Sequence, residues 1–578
     1  MSEEGDAWAD RAAALFLFLG TSAVVIWQNS RLAVLWDLSY ILENSHRISL
    51  GQLPYRDFPF PYAPGTFLIQ ALLIKLTGRV FFHHVLYCAL VGGLATVVTW
   101  RILFHVLREA TPRFRLTAFL LALPLTVLGI YCVFPHPFYD PDCTFIILLC
   151  VLILINLERK TFPPLQTFLA GILFIAPIFV KQNTGLAFVA GVKWITLIFI
   201  VCAIRPRQRV AGYVWLLAGM TVGFTAALLL LHFTVGLANY WHWTIQFAAS
   251  RRLPGFAEMF APYKNTLLLL WIAAFAVGAW LFWDGNRRAN RMLSWLSVAL
   301  MAAPFAWAII YLVVDDDPAE RAERLLALWP VILIASLFVA LWNLKRGPTV
   351  TRLLPFILFA TVQGAFLSQQ LWGSTYALWP LLMILLAAIL AELFRLGNKN
   401  SWKEIESLAS IAALSMLIAG AFYVASHERL DYVDLSSGEL AHSTLPPLKG
   451  LSMRGSWLPQ FEQLVQFTDR EIPRDQGLLM IPGEDLFYYA SGRRPQFPVL
   501  MFDHTINPYS PEEILEISRR QNICWLVLKK NLQLNADPVE NKNRLLDLLR
   551  ADFTPFQSLA NYDVYRRSSS GACVDSGP

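Results

Sequence analysis

The feature that most constrains this chain is a series of thirteen apolar runs, each near the length that carries an α-helix across a bilayer. They fall near 12–30, 82–107, 116–135, 142–157, 165–181, 184–204, 211–236, 264–283, 292–314, 323–343, 353–371, 375–395 and 405–425. A hydrocarbon core takes about 20 residues of helix, so the runs describe an α-helical polytopic membrane protein of about 13 transmembrane helices. Only 15% of the residues are charged, against about 25% in a soluble domain. The runs at 142–157 and 165–181 are short, which predicts tilt or local packing there.

The loops between the runs sort by charge. Arg108/Arg113/Arg115, Arg159/Lys160, Arg205/Arg207/Arg209, Arg287/Arg288/Arg291, Lys345/Arg346/Arg352 and Arg395/Lys399/Lys403 all fall on one side. Basic loops stay in the cytoplasm. The N-terminus is then cytoplasmic, and both the stretch 31–81 and everything after about 426 are extracytoplasmic. The acidic start MSEEGDAWADR does not resemble a cleavable signal, so the first run reads as a retained anchor. The net charge of +6 is dispersed between apolar runs, which argues against nucleic-acid binding. Of seven cysteines, five lie in or beside apolar runs, Cys524 and Cys573 are far apart, and no CxxC occurs. No disulfide framework or zinc site is expected.

The stretch Trp36–Gly65, WDLSYILENSHRISLGQLPYRDFPFPYAPG, is richer in chemistry than a connector needs. Asp37, Tyr40, Ile41 and Asn44 fall on one helical face. Glu43 and Arg47 have the spacing of an intrahelical ion pair, and Gly51 is a natural stop. After a turn crowded with prolines and aromatics, Thr66–Thr77 reads as a helix lying along the membrane surface. Past residue 426, strand-like and helix-like patterns alternate, as in LLMIPG, PEEILEISRRQ and ICWLVLKK. They predict a small α/β domain over 426–578, following a membrane domain over 1–425.

Polar residues gather at the outer ends of the runs. They include His136-Pro-Phe-Tyr-Asp140-Pro-Asp142, Lys181-Gln182-Asn183-Thr184-Gly185, Arg251-Arg252, Asp315–Asp317 with Arg321/Arg324, and Gln369/Gln370. Carboxylates and cations thus share one membrane depth, where a lipid headgroup lies. An Asp at the end of the first run, a first-loop helix, and then G-x-x-P-Y-R-D-F-x-x-P-Y-x-P-G resemble the GT-C superfamily of polyprenyl-phosphate-sugar glycosyltransferases, over roughly residues 1–400. Relatives include the protein O-mannosyltransferases and the lipid A aminoarabinose transferases. Those relatives often carry Asp-Glu where this chain has Asp37-Leu38, which leaves the second acid's role open. The resemblance implies inverting transfer from a polyprenyl-phosphate-linked sugar to a glycan, lipid or protein acceptor on the extracytoplasmic face, in a bacterial inner membrane. It maps the reacting aspartate to Asp37 and the second-loop acid to Asp142. A carboxylate can take the proton of an attacking hydroxyl. Cations stabilise a departing lipid phosphate, a role open to Lys181, Arg251 and Arg252. Asp140, Asp57 and Tyr62 are further substrate-binding candidates.

Each residue also has a plainer reading. Asp37 suits a helix N-cap, Asp57 a turn, and Asp140 and Asp142 a turn around Pro141. Lys181 can snorkel, although the start of a helix at KQNTG favours an anion. Arg321 and Arg324 suit surface ion pairs with Asp315–Asp317. His136 with Asp140 and Asp142 could hold a divalent cation; no other cofactor is implied. Lys193 falls in mid-run, where an ionisable group is a functional candidate. The alternative functions are a transporter or flippase of lipid-linked saccharides, a polymerase or ligase with a different lipid-linked donor, and a non-catalytic envelope assembly protein. Ion-coupled carriers keep ionisable groups at the midplane, where this chain has little beyond Lys193.

Overall fold

The computed structural model describes all residues except 1–2, 203–206, 252–256, 318–320, 322–323, 347–348, 369–374, 398–400, 427–429, 431–437, 504, 531–538, 568–572 and 574–578. Among the described residues, ten helices are long and apolar enough to cross a membrane. Three further apolar runs form shorter helices, at 114–128, 164–179 and 350–366. Proline accounts for much of the shortening, because it removes a backbone donor and clashes with the preceding turn. The run at 116–135 breaks at Pro124 into Phe114–Ala122 and Leu125–Leu128, ending at Gly129. The run at 165–181 forms Pro164–Leu173 and then a 3₁₀ turn, Ala176–Phe179, that contains Pro177. The run at 142–157, expected to be short, is a full helix, because Tyr139, Asp140 and Pro141 supply its first turn.

The elements that build the outer face come early. Helix α1 (Glu3–Asn29) is the first span. A corner leads into α2 (Leu35–Ser49), and α3 (Gly65–Thr77) follows the proline-rich turn. Spans α4 (Phe81–Leu107), α5 (Tyr139–Arg159) and α6 (Gln182–Cys202) carry the residues below them. Gly51 ends α2 as the sequence predicts, with φ +91 and its N–H bonded to the Ile48 carbonyl. Outward-facing side chains on the spans are large and apolar, among them Leu90, Leu169, Leu230 and Leu269, as a lipid-facing surface requires.

The C-terminal part holds two sheets. Strands β1 (Leu440–His442) and β2 (Ser452–Arg454) form a short antiparallel pair. Strands β3 (Gly477–Ile481), β4 (Ile523–Lys529), β5 (Phe553–Ser558) and β6 (Tyr562–Arg567) form a sheet in the order β3-β4-β6-β5. Only the β3–β4 pairing is parallel. Alternate residues of β3 serve two cores, as a pleat dictates. Leu479 and Ile481 pack with Ile514, Ile517 and Leu549 of the helices behind the sheet. Leu478 and Met480 join the opposite core, which also contains Leu38, Ile41, Leu42 and Phe67 of the first outer loop. The α/β part and the first outer loop therefore share one hydrophobic core.

Two sequence expectations are corrected. Cys524, on β4, and Cys573 are joined in a disulfide across 49 residues. Glu43 and Arg47 do not pair; each reaches a different stretch of the α/β part.

One glycine fixes how closely the first loop approaches the rest. A Cβ on Gly65 would meet the Phe179 carbonyl oxygen and Val180 Cγ2 at 2.7 Å each. Gly65→Ala should therefore destabilise the protein by about 1–3 kcal/mol through overpacking. Thermal melting in detergent measures this, and an unchanged melting temperature would remove the packing argument.

Candidate active site

The corner between α1 and α2 is pinned by the second outer loop. The Val34 N–H at the start of α2 donates to His136 Nε2 at 3.0 Å. The other ring nitrogen, Nδ1, lies 3.1 Å from Asn29 Oδ1 at the end of α1. Accepting at Nε2 leaves the proton on Nδ1, directed at Asn29. His136 is thus a neutral bracket between two loops rather than a metal ligand. Val34, and not Asp37, is the N-cap of α2. Asp37 stands in the first turn, half-buried, where the helix dipole favours a negative charge.

Asp142 lies on the first turn of α5 and is 2% exposed. Its Oδ1 accepts from the hydroxyls of Tyr131 at 2.6 Å and Tyr87 at 2.7 Å. Its Oδ2 accepts from Thr66 Oγ1 at 2.7 Å. A buried carboxylate is tolerable when its lone pairs are met in this way. One carboxylate so ties α3, α4, α5 and the segment before α5 together. Asp140, on the same turn, forms a buried ion pair with Lys181, the residue just before α6. The ammonium also lies 5.6 Å from the Tyr139 ring centroid.

Aromatic rings connect this pair to α2. Tyr139 lies 5.4 Å from Tyr62, and Tyr62 lies 4.5 Å from Tyr40. Tyr40 is one helical turn from Asp37, on the face the sequence predicts. The loops after the first span, before α5 and before α6 are thus brought together, with Tyr62, Asp140, Asp142 and Lys181 in one neighbourhood and Asp37 one helical turn before Tyr40 on α2. A small cavity of about 10 Å³, room for one water, lies against Tyr40, between Tyr40, Asn44, Pro59–Pro61 and the segment Pro498–Met501 with Ile506.

Three candidates stand elsewhere. Asp57 is a turn residue, accepting from the Leu53 N–H at 2.8 Å and pairing with Arg56. Arg251 is exposed and donates to the Asn507 carbonyl of the α/β part at 2.9 Å. Lys193 lies on an exposed stripe of α6 with Leu186, Ala190 and Leu197, which faces outward rather than into the outer site. Arg252, Gln369 and Gln370 lie outside the described residues. Arg321 and Arg324 lie over the rings of Phe422 and Tyr311. No group of three or more His, Cys, Asp or Glu side chains that could hold a metal occurs among the described residues. The residues present do not fit the divalent site drawn from His136.

No protein family matches the chain by sequence, and no curated protein matches it. Solved structures do. The apo crystal structure of the Archaeoglobus fulgidus oligosaccharyltransferase matches with a TM-score of 0.50 at 11% identity, over 97% of this chain and 75% of that one. The chain shares the overall fold of that structure. Two further matches have the same character at lower scores. ArnT from Cupriavidus metallidurans, bound to undecaprenyl phosphate, gives 0.41 at 12% identity, over 98% of this chain and 99% of that one. The archaeal oligosaccharyltransferase AglB from Archaeoglobus fulgidus, in complex with an inhibitory peptide and a dolichol-phosphate, gives 0.49 at 11% identity, over 91% and 70%. At such identities the likeness to the first of these shows the fold alone.

Sequence reasoning missed the hydroxyls that hold Asp142. Thr66, Tyr87 and Tyr131 each sit in or beside an apolar run, with no local pattern to mark them. It also missed the buried polar face of α2. Burial, opposed by two backbone N–H bonds, holds the Glu43 carboxyl well above its ordinary pKa; Asp485 adds to the rise. Burial, with the Arg79 charge, lowers His46 from 6.5 to about 4. A depressed histidine favours folding above its unfolded pKa. Its contribution is therefore full above about 6.5 and is lost as the pH falls toward about 4. Glu43 acts with the opposite sign, so a difference measurement isolates His46. Relative to His46→Leu, the wild-type protein should lose up to about 3 kcal/mol of stability across that window. Melting both proteins at successive pH values tests this, and a constant gap between them would refute it.

Proposed function

We propose that this protein is a membrane glycosyltransferase that moves a sugar from a polyprenyl-phosphate donor to an acceptor on the extracytoplasmic face. The observation that supports the reading is the buried Asp140–Lys181 pair beside the clamped Asp142, linked through the rings of Tyr139, Tyr62 and Tyr40 to α2, the helix that carries Asp37. In this reading Asp37 is the base, taking the proton of the attacking acceptor hydroxyl as the sugar carbon inverts. Lys181 receives the departing lipid phosphate. Its charge is held ready by Asp140, and the first turn of α6 adds the favourable field of a helix N-terminus. Asp142 orients the loops, because all of its visible bonds go to protein hydroxyls. Tyr62, Tyr40 and Tyr139 offer ring faces to the sugar, and Arg251 binds the Asn507 carbonyl of the α/β part. One displacement with one base needs no covalent carboxylate intermediate.

The orientation belongs to the same proposal. Disulfides persist in oxidising compartments, and Cys524–Cys573 lies in the part that the charge of the loops assigns to the outside. The N-terminus is then cytoplasmic and the membrane is a cell membrane of the bacterial inner type. The scarcity of ionisable groups along the spans argues against an ion-coupled transporter.

The test uses the full-length protein in nanodiscs with undecaprenyl phosphate carrying labelled hexoses or pentoses. Asp37→Asn should abolish transfer while the protein stays folded and binds undecaprenyl phosphate. Lys181→Met should weaken that binding by roughly ten-fold or more, the loss of one charged contact. Full transfer by Asp37→Asn would remove Asp37 from the chemistry. Counterflow of lipid-linked sugar without covalent product would replace the enzyme with a carrier.

A further inference from the structure

Helix α2 has a second polar face, opposite in use to the one that carries Asp37. Ser39, Glu43 and Arg47 recur every four residues and form a single stripe. Ser39 Oγ lies 2.9 Å from the Asp485 carbonyl and 3.2 Å from that of Gly483. Glu43 Oε1 accepts the Tyr488 N–H at 2.8 Å, and the Tyr489 N–H is shared between its two oxygens at 3.2–3.3 Å. Glu43 therefore caps α7 (Phe487–Ser491) across 445 residues of sequence. Arg47 donates to the carbonyls of Pro498 and Phe497 at 2.7 and 3.0 Å. All three side chains reach backbone atoms of one segment, 483–498, and all three are buried.

That segment is itself anchored. Asp485 accepts from Trp457 Nε1 at 2.7 Å, Lys529 Nζ at 2.9 Å and the Tyr562 hydroxyl at 3.1 Å. Lys529 also binds Glu484 at 2.7 Å. The segment is thus tied to β4, β6 and the helix Trp457–Glu471. Three successive turns of α2 are held by the framework of the α/β part, while His136 holds its N-cap. α2 cannot shift or rotate without breaking bonds to buried backbone groups, each worth about 1–3 kcal/mol when left unmet.

We propose that the C-terminal α/β part acts as a clamp on α2, and that Ser39, Glu43 and Arg47 are positioning residues that set where Asp37 stands. This deepens the transferase reading and rests on it for the role of Asp37. The role assigned to the α/β part is to fix a reacting group from behind. A misplacement of about 1 Å can lower a rate on the order of 100-fold, so a loosened clamp lowers the chemical step more than donor binding.

The experiment compares wild type, Glu43→Ala, Glu43→Gln and Arg47→Lys in phosphatidylethanolamine–phosphatidylglycerol nanodiscs. Arg519→Ala is the control within the same α/β part, at an exposed pair with Asp552. Hydrogen exchange over residues 35–49, undecaprenyl phosphate binding and the single-turnover transfer rate are measured on each. Glu43→Ala should speed exchange in α2 and lower the single-turnover rate about 10- to 100-fold. Undecaprenyl phosphate binding should stay within about two-fold, the split that separates a transition-state effect from binding. Glu43→Gln, which keeps an acceptor for the two N–H groups, should restore most of the rate. Arg47→Lys is the milder probe should Glu43→Ala fail to fold, and should give an intermediate loss. Unchanged exchange in α2, or a rate loss that Arg519→Ala reproduces, would overturn the clamp. A wild type that transfers from no undecaprenyl-phosphate sugar overturns the transferase reading, and the exchange comparison then decides the clamp by itself.

Discussion

The outer face depends on one buried carboxylate being fully met. Asp142 sits at the top of a span, where water is scarce and an unmet charge is expensive. Three hydroxyls meet it, and they come from α3, α4 and the segment before α5. Removing any one partner would leave a buried acceptor short, which is a larger penalty than the bond's own net worth. The carboxylate is therefore less a reagent than a knot. It fixes the depth at which the first loop lies on the spans, and with it the positions of Tyr62, Asp140 and Lys181.

A second constraint works from above. The first outer loop is too small to bury its own apolar surface, and it completes a core with the α/β part. Helix α2 is the shared wall. Its apolar residues serve that core, its Ser39–Glu43–Arg47 stripe serves the backbone of 483–498, and its remaining face carries Asp37 and Tyr40. A helix used on all sides has little freedom to shift or rotate.

Much of this was legible in the sequence. The apolar periodicity gave the spans, because bilayer thickness imposes a length on each helix. The face Asp37/Tyr40/Ile41/Asn44 and the stop at Gly51 followed from helical geometry. The proline breaks at Pro124 and Pro177 were open to the same reasoning, yet the runs were read as whole spans because hydropathy averages over a single residue. What stayed hidden was non-local. Glu43 and Arg47 have the spacing of an intrahelical pair, and no local rule reveals that both turn to partners about 450 residues away. Cys524 and Cys573 did carry a signal, being the two cysteines outside the apolar runs, but their separation masked it until the sheet brought them together.

The distance in sequence between α2 and its partners has a consequence for biogenesis. Glu43 and Arg47 emerge from the ribosome early, on the loop that follows the first span, and the backbone that satisfies them is made only after the last span. For most of synthesis the two side chains remain hydrated and α2 is held from one end. The outer loop therefore matures last although it is made first, and a chain interrupted anywhere before the final sheet would insert its spans and leave their crown unfinished.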